Sequence, residues 1–272
     1  MEPLLIFFLP GISEGDTAYW EPFRDVVRLV PLSYLDWPEL VKPEIRFEGL
    51  LPHLIRQIQD FKPAGAVHLV GYSIGGPLAY ACAMVLQSEG RAVDSLTILD
   101  GQADYESVGT ALRKRWQNLS TFHLRAGLAS VLAKLLTHER ARPWLRRLSR
   151  MRDRELPFGF GPYLYLKLKM QLMWRMFPPW WRKVARPTSE LAAPTFLFRS
   201  EEHEPWEPDN LGWGRYCRNV TVIPVAGLHD TMLAPENLGS LCAKLVRALR
   251  GLTTEPAIVP RPELRTGAPP AE

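Results

Sequence analysis

The chain is poor in cysteine, with three among 272 residues. Cys82, Cys217 and Cys242 are odd in number, far apart and not at metal-ligand spacing, so neither a disulfide framework nor a metal site is expected. Cys82 and Cys242 fall in helical patterns as small core residues, and a reducing cytoplasm fits this usage best. Long hydrophobic runs are missing too. Nothing approaches the roughly 20 apolar residues that a membrane span requires. The opening run Leu4–Leu9 is too short for a secretory core, and Glu2 stands where a basic flank would be needed; it reads as a buried first strand. No internal repeat is visible. No nucleic-acid-binding motif accompanies the charge, so nucleic acid is not an expected partner.

Net charge is small, at +4 from 33 Lys plus Arg against 29 Asp plus Glu, but it is unevenly placed. Between Gly101 and Glu190 there are 18 basic residues against 6 acidic ones, a local balance of +12, which leaves −8 for the remainder. What is present otherwise is ordinary: 46% hydrophobic and 23% charged residues suit one sizeable globular domain.

Strand-like runs occur at Leu4–Leu9, Val26–Val30, Ala66–Val70, Ser95–Leu99, Thr195–Phe198 and Val220–Val225. Helical patterns lie at Pro43–Phe61, Pro77–Gln87 and Glu236–Arg250, the last with Leu238, Leu241, Leu245 and Leu249 on one stripe. Such alternation predicts an α/β fold with a mostly parallel sheet covered on both faces. It breaks between about 104 and 187, a helical stretch rich in Trp, Arg, Leu and Met. That stretch is expected to be a lid inserted at the carboxyl edge of the sheet, where sites of open α/β sheets lie. We expect one domain over 1–252, and a disordered tail over 253–272, which holds five prolines.

Chemistry concentrates at Val67-His68-Leu69-Val70-Gly71-Tyr72-Ser73-Ile74-Gly75-Gly76. A bare G-x-S-x-G arises by chance in roughly one chain in ten of this length, so context decides. Here a short buried strand precedes Ser73, and Leu78, Ala79, Cys82, Val85 and Leu86 follow at helical spacing, with Pro77 in the first turn. Strand, sharp turn and helix together describe a nucleophile elbow with Ser73 strained and accessible.

A serine hydroxyl needs a base. Of the six histidines, His68 lies in the strand and points away, and His53, His123 and His138 have helical surroundings. His229 follows the last strand through Ala226-Gly227-Leu228 and precedes the final helix, the place of the base in α/β hydrolases. The acid is less determined. Asp100 ends the buried run Leu96–Leu99, while Glu201, Glu202, Glu204 and Asp209 lie in the later loop that many α/β hydrolases use, and spacing does not choose between them. Oxyanion donors are expected at the backbone N–H of Ile74, after the nucleophile, and of Ile12, after the first strand.

At these residues the chain resembles the thioesterase domains of nonribosomal peptide and polyketide synthases. The stretch GYSIGGPLAYACAMVLQSEGRAVDSLTILDG at 71–101, FFLPG at 7–11 and GLHDTMLAPENL at 227–238 carry the resemblance, which covers roughly 4–101 and 191–250. Asp209–Trp213 also resembles the family's segment before the penultimate strand. The resemblance implies an α/β-hydrolase fold and a catalytic set of Ser73, Asp100 and His229, favouring Asp100 over the later acids. It implies no cofactor of the protein's own, the substrate being carried on the phosphopantetheine of an acyl or peptidyl carrier protein. Two departures stand out. No carrier domain precedes the first strand, which suggests a free-standing or excised domain, and Ala81 replaces an acidic residue frequent in the family.

The expected activity is release of a polyketide or peptidyl group through a serine acyl-enzyme, by hydrolysis or cyclisation. The alternatives are a lipase or carboxylesterase acting on oxygen esters, or a non-catalytic carrier-binding module. A basic lid would attract an acidic carrier, and contact with an anionic membrane surface is the lesser alternative. Trp174, Phe177, Trp180 and Trp181 are candidates for lining an acyl channel.

Overall fold

The computed structural model describes residues 2–12, 15–34, 49–103, 131, 160–184, 190–203 and 207–251. Its elements are β1 (Leu4–Leu9), β2 (Val27–Pro31), α1 (Leu50–Phe61), β3 (Val67–Tyr72), α2 (Gly75–Ser88), β4 (Val93–Leu99), α3 (Phe160–Val184), β5 (Thr195–Arg199), β6 (Val220–Pro224) and α4 (Pro235–Leu249). Most of the stretch expected to be a lid, and the tail from 252, lie outside the described residues; the described part, α3, is helical as expected.

The strands form one parallel sheet in the order β2-β1-β3-β4-β5-β6. Chain order reverses between β1 and β3, so the crevice outside their carboxyl ends is the topological switch point where ligands bind in such sheets. The α/β fold expected from the alternation of elements is the observed one.

The sheet is apolar on both faces because its strands carry continuous rather than alternating hydrophobic runs. Phe7, Leu9, Leu69, Leu96, Ile98 and Leu197 point to one side and pack with α1 and α2. Ile6, Phe8, Val70, Leu99 and Phe198 point to the other, where Leu238, Leu241 and Leu245 of α4 cover them. Each fully buried leucine of that stripe contributes roughly 1.5–3 kcal/mol. Strand boundaries shift slightly from expectation. β3 runs on through Gly71 to Tyr72, because Tyr72 still pairs with Leu99. The helix expected from Pro43 is described only from Leu50.

Candidate active site

The turn between β3 and α2 forces glycine at two positions. A Cβ on Gly71 would stand 2.1 Å from the Gly75 carbonyl oxygen, and one on Gly75 would stand 2.1 Å from that of Leu9. With both hydrogens in place of side chains, the chain doubles back tightly and Ser73 adopts a left-handed φ of 55°. For a non-glycine residue this costs on the order of 1–3 kcal/mol and persists only where surroundings enforce it. The enforcement is visible. Ser73 N–H donates to the Leu99 carbonyl at 2.9 Å, and Gly76 N–H donates to the Ser73 carbonyl at 3.0 Å.

Asp100 follows β4 in the same manner, at φ 53° and buried. Its amide donates to the Phe198 carbonyl at 2.9 Å, fixing it against the end of β5. Four donors converge on its carboxylate. Oδ2 accepts from His229 Nδ1 and from Ser200 Oγ, both at 2.8 Å. Oδ1 accepts from the Ser200 amide at 2.8 Å and from His203 Nε2 at 2.7 Å. Burial alone would raise the carboxyl's pKa, but the hydrogen bonds and charges of His203 and His229 outweigh it and hold Asp100 well below the ordinary carboxylate range.

His229 stands between the two. Its Nε2 lies 2.9 Å from Ser73 Oγ while Nδ1 meets Asp100. Its ring stacks on Tyr72 at 5.3 Å between centroids and 23° between planes. Tyr72 Oη donates to the His229 carbonyl at 2.6 Å, and the His229 amide donates to Glu202 at 2.9 Å. The imidazole is thus held from its ring, its N–H and its C=O. A hydroxyl, an imidazole and a buried carboxylate so linked can pass a proton away from an attacking oxygen.

The structure brings Ser73, His229 and Asp100 together. Ile74 follows Ser73 at the start of α2, and Ile12 follows Gly11, where a Cβ would lie 3.6 Å from that of Ser73. The loop holding Ile12 is pinned by Tyr34, whose hydroxyl donates to the Pro10 carbonyl and lies 3.2 Å from that of Gly11. Over the Tyr34 ring, 5.6 Å from its centroid, sits the ammonium of buried Lys169 from α3.

The rival acids have other partners. Glu202 meets the backbone of His229 rather than its ring, Asp209 pairs with Arg199 at 3.3 Å, and Glu201 is exposed. Glu204 lies outside the described residues.

Three of the aromatic residues expected to line an acyl channel lie on the buried face of α3. Phe177, Trp180 and Trp181 are 1%, 6% and 3% exposed and belong to the packed core, with Trp181 against Tyr80, Trp213 and Tyr216. Indole N–H groups of Trp213 and Trp181 donate to the carbonyls of Gly101 and Ala103, each at 2.7 Å. These rings clamp the turn after Asp100. The side chain of Trp174 lies outside the described set.

Three participants escaped the reading of the sequence, Tyr72, Ser200 and His203, while Glu202, expected only as a rival acid, meets the His229 backbone instead. All sit at the carboxyl ends of β3 and β5. A polar run such as Arg199-Ser200-Glu201-Glu202-His203 after a buried strand marks a site edge but does not say which side chains turn inward.

A parallel sheet with a serine at a strained strand-to-helix turn at its switch point is the arrangement of the α/β-hydrolase fold. Residues 30–153 match the family model of the thioesterase domain, a span that includes Ser73 and Asp100. The likeness to thioesterase domains of nonribosomal peptide and polyketide synthases is thus borne out. Among solved structures, a covalent complex of the NocB thioesterase domain with a fluorophosphonate nocardicin G analog is similar at TM-score 0.56 and 18% identity, over 92% of this chain and 95% of that one. The Vlm2 thioesterase domain carrying 2,3-diaminopropionic acid and bound with a dodecadepsipeptide is similar at TM-score 0.55 and 20% identity, over 90% and 96%. Malpibaldin synthetase of Mortierella alpina is 41% identical over 54 residues, which are 20% of this chain and 1% of the synthetase. The chain thus corresponds to a very small part of that relative. Among the described residues, no helix is long and apolar enough to cross a membrane.

Proposed function

We propose that the protein is a thioesterase that releases a polyketide or peptidyl group from the phosphopantetheine thioester of a carrier protein. Ser73 Oγ attacks the thioester carbonyl while His229 Nε2 takes its proton, and Asp100 holds the ring so that Nδ1 keeps its hydrogen. The tetrahedral oxyanion is met by the N–H groups of Ile74 and Ile12. Collapse breaks the C–S bond, and His229 returns the proton to the departing thiolate. Water, or a nucleophile within the acyl chain, then repeats the sequence on the Ser73 ester and frees the product. The unbroken line from Ser73 to His229 at 2.9 Å and from His229 to Asp100 at 2.8 Å carries this reading. The family match supports thioesters over oxygen esters.

Residues 1–252 form one domain in this reading, with 104–187 as a lid over the crevice. The local charge of +12 between Gly101 and Glu190 suits an acidic carrier protein. Three free, buried cysteines fit a reducing compartment. The test compares turnover of an acyl-pantetheine thioester with that of its oxygen-ester analogue, in the natural protein and in Ser73→Ala. Preference for the thioester, lost with Ser73, is expected; preference for the ester would make the protein a carboxylesterase. No turnover of either, together with tight carrier binding, would make it a carrier-binding module.

A further inference from the structure

Asp100 is shared by two histidines. His229 reaches Oδ2 at 2.8 Å, and His203 reaches Oδ1 from the other side at 2.7 Å. The second ring nitrogen of His203, Nδ1, lies 2.8 Å from Oε2 of Glu207, whose Oε1 accepts from Gln102 at 3.2 Å. Ionised carboxylates only accept hydrogen bonds, and a neutral imidazole has a single N–H. A neutral His203 would therefore set a ring lone pair against one carboxylate oxygen or the other. Both contacts are satisfied only when both nitrogens carry hydrogen and the ring is an imidazolium. His229 differs, because its Nε2 faces the Ser73 hydroxyl, which donates, so a neutral ring meets both its partners.

We propose that His203 is a positioning residue of this site, an imidazolium that grips Asp100 through Oδ1 and by its charge limits how strongly Asp100 draws a proton onto His229. The inference rests on Ser73, His229 and Asp100 acting as proposed above. Its physical content is a balance. Asp100 must stabilise the imidazolium that His229 becomes during attack, yet the same carboxylate is shared with a second ring on its far side. A cation on the far side of the same carboxylate weakens that pull and leaves the base free at lower pH. Among the described residues, the charged groups facing His203 are Asp100 from the end of β4 and Glu207 from its own loop. Those facing His229 are Asp100 and, at its backbone N–H, Glu202. Burial opposes charge on His203, but Asp100 and Glu207 outweigh it and raise its pKa, in keeping with the hydrogen-bond argument.

The pH profile of kcat/KM on an acyl-pantetheine thioester tests this in the full chain, comparing the natural protein with His203→Gln and His203→Ala. Glutamine keeps an amide donor for Asp100 but carries no charge; alanine removes both. We expect the low-pH limb to move to higher pH by about one pH unit in both variants, the scale for removing one charge beyond a shared carboxylate. At a pH below the limb, kcat/KM then falls about tenfold, while the plateau of the glutamine variant stays within about threefold. A limb that stays in place in both variants, or moves to lower pH, overturns the proposal. A second measurement needs no variant: nitrogen-15 NMR of the His203 ring at neutral pH should show both nitrogens protonated, and a neutral ring would overturn it. Failure of the underlying reading looks different. If Ser73→Ala turned over substrate normally, the triad itself would be wrong, whereas an indispensable Ser73 with an unmoved limb removes only the role of His203.

Discussion

Gly101 faces the carbonyl oxygen of Ser73 so closely that a Cβ at Gly101 would stand 2.5 Å from it. The two strained turns, one ending β3 and one ending β4, are therefore packed against each other through backbone alone. Ser73 and Asp100 are held in fixed relation before any side chain acts, and the indoles of Trp213 and Trp181 tie down the carbonyls of Gly101 and Ala103 behind them. Gly101→Ala should separate the turns. Destabilisation of about 1–3 kcal/mol, typical of overpacking, is expected in denaturant unfolding. Turnover should be lost even at temperatures where the variant is folded.

Asp100→Asn should lower kcat/KM by about 10⁴-fold, the scale seen when a triad carboxylate becomes an amide. An asparagine that still accepts from Ser200 and His203 turns its NH2 toward His229 Nδ1, which must then give up its hydrogen. The hydrogen moves to Nε2 and faces Ser73, so no base remains. Asp209→Asn, altering a carboxylate paired with Arg199 at 3.3 Å, should stay within about threefold, as suits an exposed ion pair. Steady-state kinetics of the two variants side by side decide it.

Tyr72→Phe keeps the ring under His229 and removes the hydroxyl that donates to the His229 carbonyl at 2.6 Å. One hydrogen bond contributes about 1 kcal/mol, which corresponds to roughly fivefold in an equilibrium. A loss of about that size in kcat is expected, with little change in KM, because the bond orients the base and not the substrate.

Stability should respond to pH with opposite signs at the two ends of the Asp100–His203 contact. Asp100 is held below its ordinary range, so its contribution is present above the unfolded carboxylate's pKa and is lost as pH falls through the folded value. His203 is raised, so its contribution is full below the unfolded imidazole's pKa and is lost as pH rises through the folded one. The stability gap between the natural protein and His203→Gln should accordingly be widest in mild acid and narrow toward alkaline pH. Thermal unfolding at a series of pH values reads it directly.

Much of the site was legible because its backbone demands are local. A glycine two residues to either side of Ser73 is a steric necessity that any elbow of this kind leaves in the sequence. Asp100 and His229 stood out as candidates by their places after buried strands, since sheet edges are where loops carry function, and it was the family resemblance that favoured Asp100 over the later acids. His203 and Ser200 were not, because their roles depend on how the loop after β5 folds back over Asp100, a long-range relation that no periodicity encodes. The packing of the aromatic residues of α3 depends on a relation just as long-range. Apolar spacing marks a face to be buried, and whether protein or ligand buries it is settled only by what stands opposite, here Tyr80, Trp213 and Tyr216.

The cysteines offer an independent check on the packing. Burial pushes the Cys217 thiol up to about 12 and that of Cys242 to about 11. Thiolate is scarce at neutral pH, so alkylation by iodoacetamide should be negligible in the folded protein and rapid after denaturation.

The proposed acyl-enzyme is tested most directly by the intact mass of the protein after brief exposure to an acyl-pantetheine thioester, with the modified peptide then sequenced. A gain equal to one acyl group, located on Ser73 and absent in Ser73→Ala, is the predicted result. Thioester cleavage with no mass gain under rapid quench, or a gain of the same size in Ser73→Ala, would contradict it.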